Sequence, residues 1–245
     1  MILQHNYTNL AGQTVLWDIS DSDKVFLYNL QFAERRSQLE KNGFLDQPIT
    51  YQYNTHGFRN PEFDTKIDVV CFGCSFTMGT GVHAEHTWPA QLQQLTGLRV
   101  ANLGHAGSSN DTAFRFAKYY LPYLKPKWAI WVQTDRHRLE LLDDSIPVCL
   151  NILASDNSNP CTQDHFIKTW FASDENQQLN LEKNTRAFEH LCQQLSITSH
   201  VLPRSSVVSD RQARDLKHPG SQVYEKLAKQ VQHLLGQAGS ISVEL

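Results

Sequence analysis

With 245 residues, 40% hydrophobic and 19% charged, the chain is long enough for one α/β domain with a substantial core. Its composition is neither that of a disordered protein nor that of a coiled coil. The formal net charge of −3, from 22 Lys and Arg against 25 Asp and Glu, comes without any strongly basic stretch, which argues against nucleic acid as a partner. The first residues lack a basic region followed by an apolar one, and no run approaches ~20 apolar residues. The five cysteines, Cys71, Cys74, Cys149, Cys161 and Cys192, are odd in number and show no disulfide framework. The expectation is a soluble, cytoplasmic protein with no membrane partner. Oligomeric state is not readable from the sequence.

In chain order, residues 1–66 read as an arm laid across a domain. Phe26–Leu30 leads into a charged, helical stretch through Lys41, and turn signals follow at Asn54, Gly57 and Asn60-Pro61. From Ile67 a regular alternation begins. Ile67–Phe72 is nearly continuous in apolar residues, as a central parallel strand should be. Trp88, Leu92 and Leu95 repeat with helical spacing up to Gly97. Leu98–Asn102 is a short strand, Asn110–Tyr120 an amphipathic helix, and Trp128–Val132 a third strand. Leu181–Leu195 is helical, Thr198–Leu202 a fourth strand, and Val223, Leu227, Val231 and Leu234 form a last helical stripe. Strand and helix in alternation predict a three-layer α/β/α sandwich with a mainly parallel sheet, whose ligands meet the carboxyl ends of the strands. Residues 136–176 break the rhythm and read as an insertion over one end of a single domain. A lid, a partner surface and a plain surface excursion all fit it.

The chemistry concentrates at Gly73-Cys74-Ser75-Phe76-Thr77-Met78-Gly79, where the first strand ends in a sharp turn that presents Ser75. A serine hydroxyl needs a base to become a competent nucleophile. Histidine suits that task near neutrality, and a carboxylate can orient it. Asp215-Leu216-Lys217-His218, about 140 residues later, supplies both groups. The oxyanion formed on attack needs preorganised donors. The Ser75 amide follows a strand, and Gly107 offers a second amide in the flexible Gly104–Asn110 segment. Each residue also has a plain structural reading. Ser75 fits a turn, Ser108 or Ser109 a helix cap, His218 a solvated helix start, and Asp215 a pair with Arg214.

Taken together, these segments resemble the SGNH hydrolase superfamily, the GDSL-like lipases and esterases. Gly73-Cys74-Ser75-Phe76-Thr77 is similar to the family's Gly-Asp-Ser motif with cysteine in place of aspartate. Asn102-Leu103-Gly104-His105-Ala106-Gly107 resembles the second family segment, and Asp215-Leu216-Lys217-His218-Pro219-Gly220 the terminal Asp-x-x-His motif. The likeness covers roughly residues 50–135 and 197–236. It implies a flavodoxin-like SGNH fold with Ser75 as nucleophile, His218 as general base and Asp215 as its orienter. It also implies an oxyanion hole that includes the Ser75 and Gly107 amides, and no cofactor or metal.

One departure stands out. The asparagine of the third family segment maps to Thr134, within Ile130–Arg138. A hydroxyl differs from an amide in reach and geometry. Losing one oxyanion donor can cost ~3 kcal/mol. Gln133 and Asn110 are alternative donors. Arg136 and Arg138 lie beside the expected cleft, where they suit an anionic substrate or salt bridges to Glu140, Asp143 or Asp144; Arg59 carries the same ambiguity. The leading reading is a serine esterase acting on a small-molecule or glycan ester, such as an O-acetyl group on a carbohydrate. Acyl transfer, anionic-ester chemistry, and a noncatalytic binding or scaffold protein on the same fold are the alternatives.

Overall fold

The computed structural model describes residues 5, 7–63, 65–143, 146–152, 165–206 and 210–239. The arm comes first. A two-stranded antiparallel ribbon pairs β1 (Thr14–Val15) with β2 (Tyr51–Gln52), and α1 (Asp23–Leu30) and α2 (Ala33–Lys41) lie between them in sequence. Leu39, Ile49, Tyr51 and Tyr53 of the arm bury themselves against Met78 and Ala106, which lie in the segments that follow the first two sheet strands. The arm is thereby packed onto the end of the domain that carries Ser75.

The main sheet has four parallel strands, β3 (Val69–Gly73), β4 (Val100–Gly104), β5 (Trp128–Val132) and β8 (Thr198–Leu202), in the spatial order β4-β3-β5-β8. Numbered by themselves the strands run 2-1-3-4, the flavodoxin-like arrangement. All four fall within two residues of the segments that apolar patterning selects. β3, β4 and β5 are buried along their whole length, because helices cover both faces.

Strand alternation divides the core. Val69 and Cys71 pack with α4 (Trp88–Thr96) and α8 (Ser221–Gly239) through Trp88, Leu92, Tyr224, Leu227 and Val231. Val70 and Phe72 point the other way, toward α5 (Asn110–Leu124) and α7 (Asp174–Gln194), where Phe116, Tyr120, Phe188 and Cys192 fill the second core. These are the three layers the alternation of strand and helix predicts.

Local signals set the helix ends. Thr87 caps α4, with Pro89 in the first turn, and Gly97 ends it at φ +70°. Ser109 and Thr112 form a reciprocal capping box on α5. Three helices outrun their apolar stripes, α8 by running on past Leu234 to Gly239. α5 continues through Pro122 to Leu124, and α7 begins at Asp174, well ahead of Leu181, because Ser173 caps it there. Within 136–176, β6 (Leu139–Asp143) and β7 (Ile146–Ile152) form an antiparallel hairpin, and α6 (His165–Ala172) follows. Asp144, the 155–160 stretch and Cys161 lie outside the described residues. Between the arm and α5 sits a buried aromatic cluster in which His5 meets Phe58, Phe116 and His105 at ring separations of 4.9, 5.4 and 5.2 Å.

Burial, reinforced by Arg115 and His56, lowers the His5 pKa from 6.5 to about 4, against the opposing hydrogen bond to the His56 carbonyl. Burial likewise holds His105 well below its ordinary value. Between pH 6.5 and 4 the unfolded chain therefore binds more protons than the folded one, so stability falls as pH drops through that window. At about 1.4 kcal/mol per unit, the His5 shift alone amounts to about 3 kcal/mol. Urea unfolding of wild type and His5→Gln at pH 7 and pH 4.5 measures this. The variant should lose less stability on acidification, and equal losses would refute the assignment.

Candidate active site

The turn after β3 is built by sterics. β3 ends at Gly73, Cys74 is the N-cap, and Ser75 opens the short helix α3 (Ser75–Met78). Helix α3 lies hard against the end of β4. A Cβ on Gly104 would sit 2.2 Å from the Met78 nitrogen and 2.6 Å from the Thr77 carbonyl carbon, so only glycine fits there. The Asn102 side chain ties the same junction, donating to the Thr77 carbonyl at 2.9 Å and accepting from the Gly104 amide at 2.9 Å. β3 and β5 are neighbours, yet the chain leaves them in different directions, which opens the crevice where ligands of such sheets bind. Ser75 stands at the carboxyl end of β3, and Thr134 follows β5.

Asp215 and His218 come from the loop before α8. Ser75 Oγ lies 2.9 Å from His218 Nε2, and His218 Nδ1 lies 2.5 Å from Asp215 Oδ2. An ionised carboxylate only accepts, so Nδ1 carries the proton and donates to Asp215, which leaves Nε2 free to accept from the serine. The other Asp215 oxygen accepts from the Lys217 and His218 amides at 3.0 and 3.1 Å. Burial alone would raise the Asp215 carboxyl. The hydrogen bond and charge interaction with His218, with help from the two amides, outweigh burial and hold it below its ordinary value. The tight turn places Leu216 at φ +55°, a conformation unfavourable for leucine, and Leu216 packs into the arm's apolar cluster.

The arm also grips this loop directly. Arg214 is not paired with Asp215. Its Nε and Nη2 donate to Asp21 at 2.7–3.1 Å, with both side chains almost wholly buried. Tyr51 Oη donates to Asp21 at 2.5 Å and accepts from the Gly81 amide at 2.8 Å, while the Arg214 amide donates to the Gly81 carbonyl. Arg59 is buried, stacked on Tyr51, and donates to the carbonyls of Gly79, Thr50 and Val82. It is a clamp on the loop after α3 and is not available to an anionic substrate.

The residues expected around the oxyanion are arranged as follows. Gly107 adopts φ +75° and is partly exposed, and neither its amide nor that of Ser75 has an acceptor among the described residues. Thr134 is buried, and its hydroxyl has no hydrogen-bond partner there. Asn110 does not stand free in the cleft. Its Oδ1 accepts from the Thr134 amide at 3.0 Å and its Nδ2 donates to the Thr134 carbonyl at 3.3 Å. Gln133 donates to Thr185 Oγ1 on α7 instead. Arg136 reaches Asp174 at 3.0 Å, at the start of α7, rather than a cleft. Arg138 donates to the Ser108 carbonyl at 3.3 Å and pairs with Asp135 at 3.7 Å, while Glu140 pairs with Arg115.

Arg204 escapes sequence reasoning. It pairs with Asp135, and its guanidinium lies 4.7 Å over the Phe76 ring, which in turn meets the His218 ring edge-on at 5.5 Å. No local pattern in the sequence marks it, because its partners lie 69 and more residues away. A cavity of about 530 Å³, lined among others by His83, His86, Asp210 and Gln212, contains none of Ser75, Asp215 and His218. Among the described residues no group of three or more His, Cys, Asp or Glu is placed to hold a metal ion, and no helix is long and apolar enough to cross a membrane.

No protein-family profile and no curated protein matches the chain. Solved structures do match it. A lipase/acylhydrolase from Enterococcus faecalis is 14% identical with a TM-score of 0.38, covering 70% of this chain and 96% of its own. A member of the lipolytic G-D-S-L family from Veillonella parvula is 12% identical with a TM-score of 0.35, covering 70% and 99%. An acetyl xylan esterase from Butyrivibrio proteoclasticus is 10% identical with a TM-score of 0.41, covering 73% of this chain and 65% of its own.

Removing the Asp21 carboxylate leaves Arg214 buried without its counter-charge, which costs ~3–5 kcal/mol. Asp21→Asn should lower unfolding stability in urea by about that much. A loss under about 1 kcal/mol would show that the pair does not hold the loop.

Proposed function

We propose that this protein is a divergent SGNH-type serine esterase that hydrolyses a small acyl ester, with an O-acetyl group on a carbohydrate as the first substrate class. The observation that carries the reading is the unbroken chain from Ser75 Oγ through His218 to Asp215, at 2.9 and 2.5 Å. A scaffold protein that had lost catalysis would have no need to keep these three groups aligned at the mouth of a crevice. Cys71, Cys74 and Cys192 are buried free thiols, which suits the cytoplasmic setting included in this proposal.

In this mechanism His218 Nε2 takes the Ser75 proton as Oγ bonds to the ester carbonyl carbon. The carbonyl oxygen becomes an oxyanion held by the Ser75 and Gly107 amides. Thr134 adds its hydroxyl, whose proton has no acceptor among the described residues, and Asn110 positions it by fixing both polar groups of the Thr134 backbone. Asp215 stabilises the imidazolium formed in this step. When the intermediate collapses, the ester C–O bond breaks and His218 returns the proton to the departing alcohol. Water then attacks the acyl-enzyme, His218 takes its proton, and Ser75 leaves with a proton restored.

Wild type should hydrolyse short-chain aryl or sugar acetates, and Ser75→Ala should reduce kcat to background. A wild type silent across the panel, with Ser75 never labelled by a serine-directed phosphonate, would remove the esterase reading. Thr134→Val keeps the shape and deletes the donor. It should lower kcat roughly 100-fold with a smaller change in KM, and unchanged kcat would exclude Thr134 from the oxyanion hole.

A further inference from the structure

The two lips of the crevice carry one shared cluster of charge. Arg138 leans on the Ser108 carbonyl, next to Gly107, and Arg204 is stacked on Phe76, next to Ser75. Both guanidiniums converge on the single carboxylate of Asp135, through its Oδ2. The two guanidiniums share this one carboxylate. Arg138 Nε is buried without a hydrogen-bond partner, and the Arg204 side chain is 34% exposed. Among the described residues Arg204 engages only Asp135 and the Phe76 face, so its remaining N–H groups are open. The other arginines considered for this role are committed elsewhere, Arg59 to three carbonyls and Arg136 to Asp174.

Resting on the esterase reading, we propose that Arg204, backed by Arg138 and held in place by Asp135, is the specificity determinant for a carboxylate carried by the ester substrate. A planar guanidinium edge matches a carboxylate with two parallel hydrogen bonds. The stacking on Phe76 fixes the guanidinium at one ring's remove from His218, which places the bound carboxylate beside the reacting ester and not at a distant surface. Asp135 sets the orientation of both guanidiniums and keeps the empty site from gathering a larger positive charge.

The test uses matched pairs of esters that differ in charge alone, 4-acetoxybenzoate against 4-acetoxybenzamide and 4-nitrophenyl hemisuccinate against its terminal amide. Wild type should favour the carboxylate in at least one pair by tenfold or more in kcat/KM. Arg204→Gln should bring that ratio close to one, while Arg99→Gln, which alters a surface pair with Asp68, should leave it intact. The preference should shrink as salt rises. A wild-type ratio near one in both pairs, or a preference that survives Arg204→Gln, overturns the proposal. If wild type turns over none of the four esters and a serine-directed phosphonate never labels Ser75, the esterase reading fails by itself; silence on the four esters alone leaves that reading to the wider panel, and in either case binding decides this proposal. Ser75→Ala should then bind 4-hydroxybenzoate or hemisuccinate at least tenfold more tightly than the matching amide in titration calorimetry, and lose the difference when Arg204→Gln is added. Equal binding, or none, would sink it.

Discussion

The buried ion pair between Asp21 and Arg214 is the constraint on which the candidate site depends. It joins the arm to the residue immediately before Asp215, and it is closed on all sides. Tyr51 supplies a hydrogen bond to Asp21, the Leu16 carbonyl accepts from Arg214, and Trp17 covers the guanidinium. A charge pair this deep is favourable only when its hydrogen bonds are satisfied, so its geometry has little freedom. That rigidity is passed to the Asp215–His218 turn, where Leu216 is held at positive φ against the arm. Arg59 does the same for the Gly79–Val82 loop that follows the Ser75 helix. The arm is therefore a brace under both halves of the Ser–His–Asp arrangement.

A second constraint is steric. The parallel sheet delivers Ser75 and Thr134 from adjacent strands, but their approach requires α3 to press onto β4 at Gly104. The capping box at Ser109 and Thr112 starts α5 at that point and points Asn110 at the Thr134 backbone. Thr134 thus occupies a fixed place, and its hydroxyl has no hydrogen-bond partner among the described residues.

Electrostatics separate the buried, paired arginines from the partly exposed Arg204. Arg59 and Arg214 are buried, with Arg59 Nη1 and Nη2 donating to carbonyls and Arg214 donating to Asp21 and the Leu16 carbonyl. Arg115 and Arg136 are matched to Glu140 and Asp174. Arg204 and Arg138 share Asp135 between them, against the Phe76 ring and the Ser108 carbonyl.

The sequence by itself determined the four strands, the covering helices and the chemical identity of Ser75, Asp215 and His218. Those are consequences of local patterning: continuous apolar runs bury strands, apolar stripes at helical spacing bury one helix face, and Gly-Cys-Ser at a strand end makes a turn. The sequence left Arg136, Arg138 and Arg59 between an anionic substrate and salt bridges, and Asn110 as an alternative oxyanion donor, and it carried no sign of Arg204 or of the Asp21–Arg214 pair. Those were decided by tertiary structure alone, because the partners are brought together from tens to nearly two hundred residues apart. A side chain's role there is set by which charges and carbonyls meet it in space, and no periodicity along the chain encodes that.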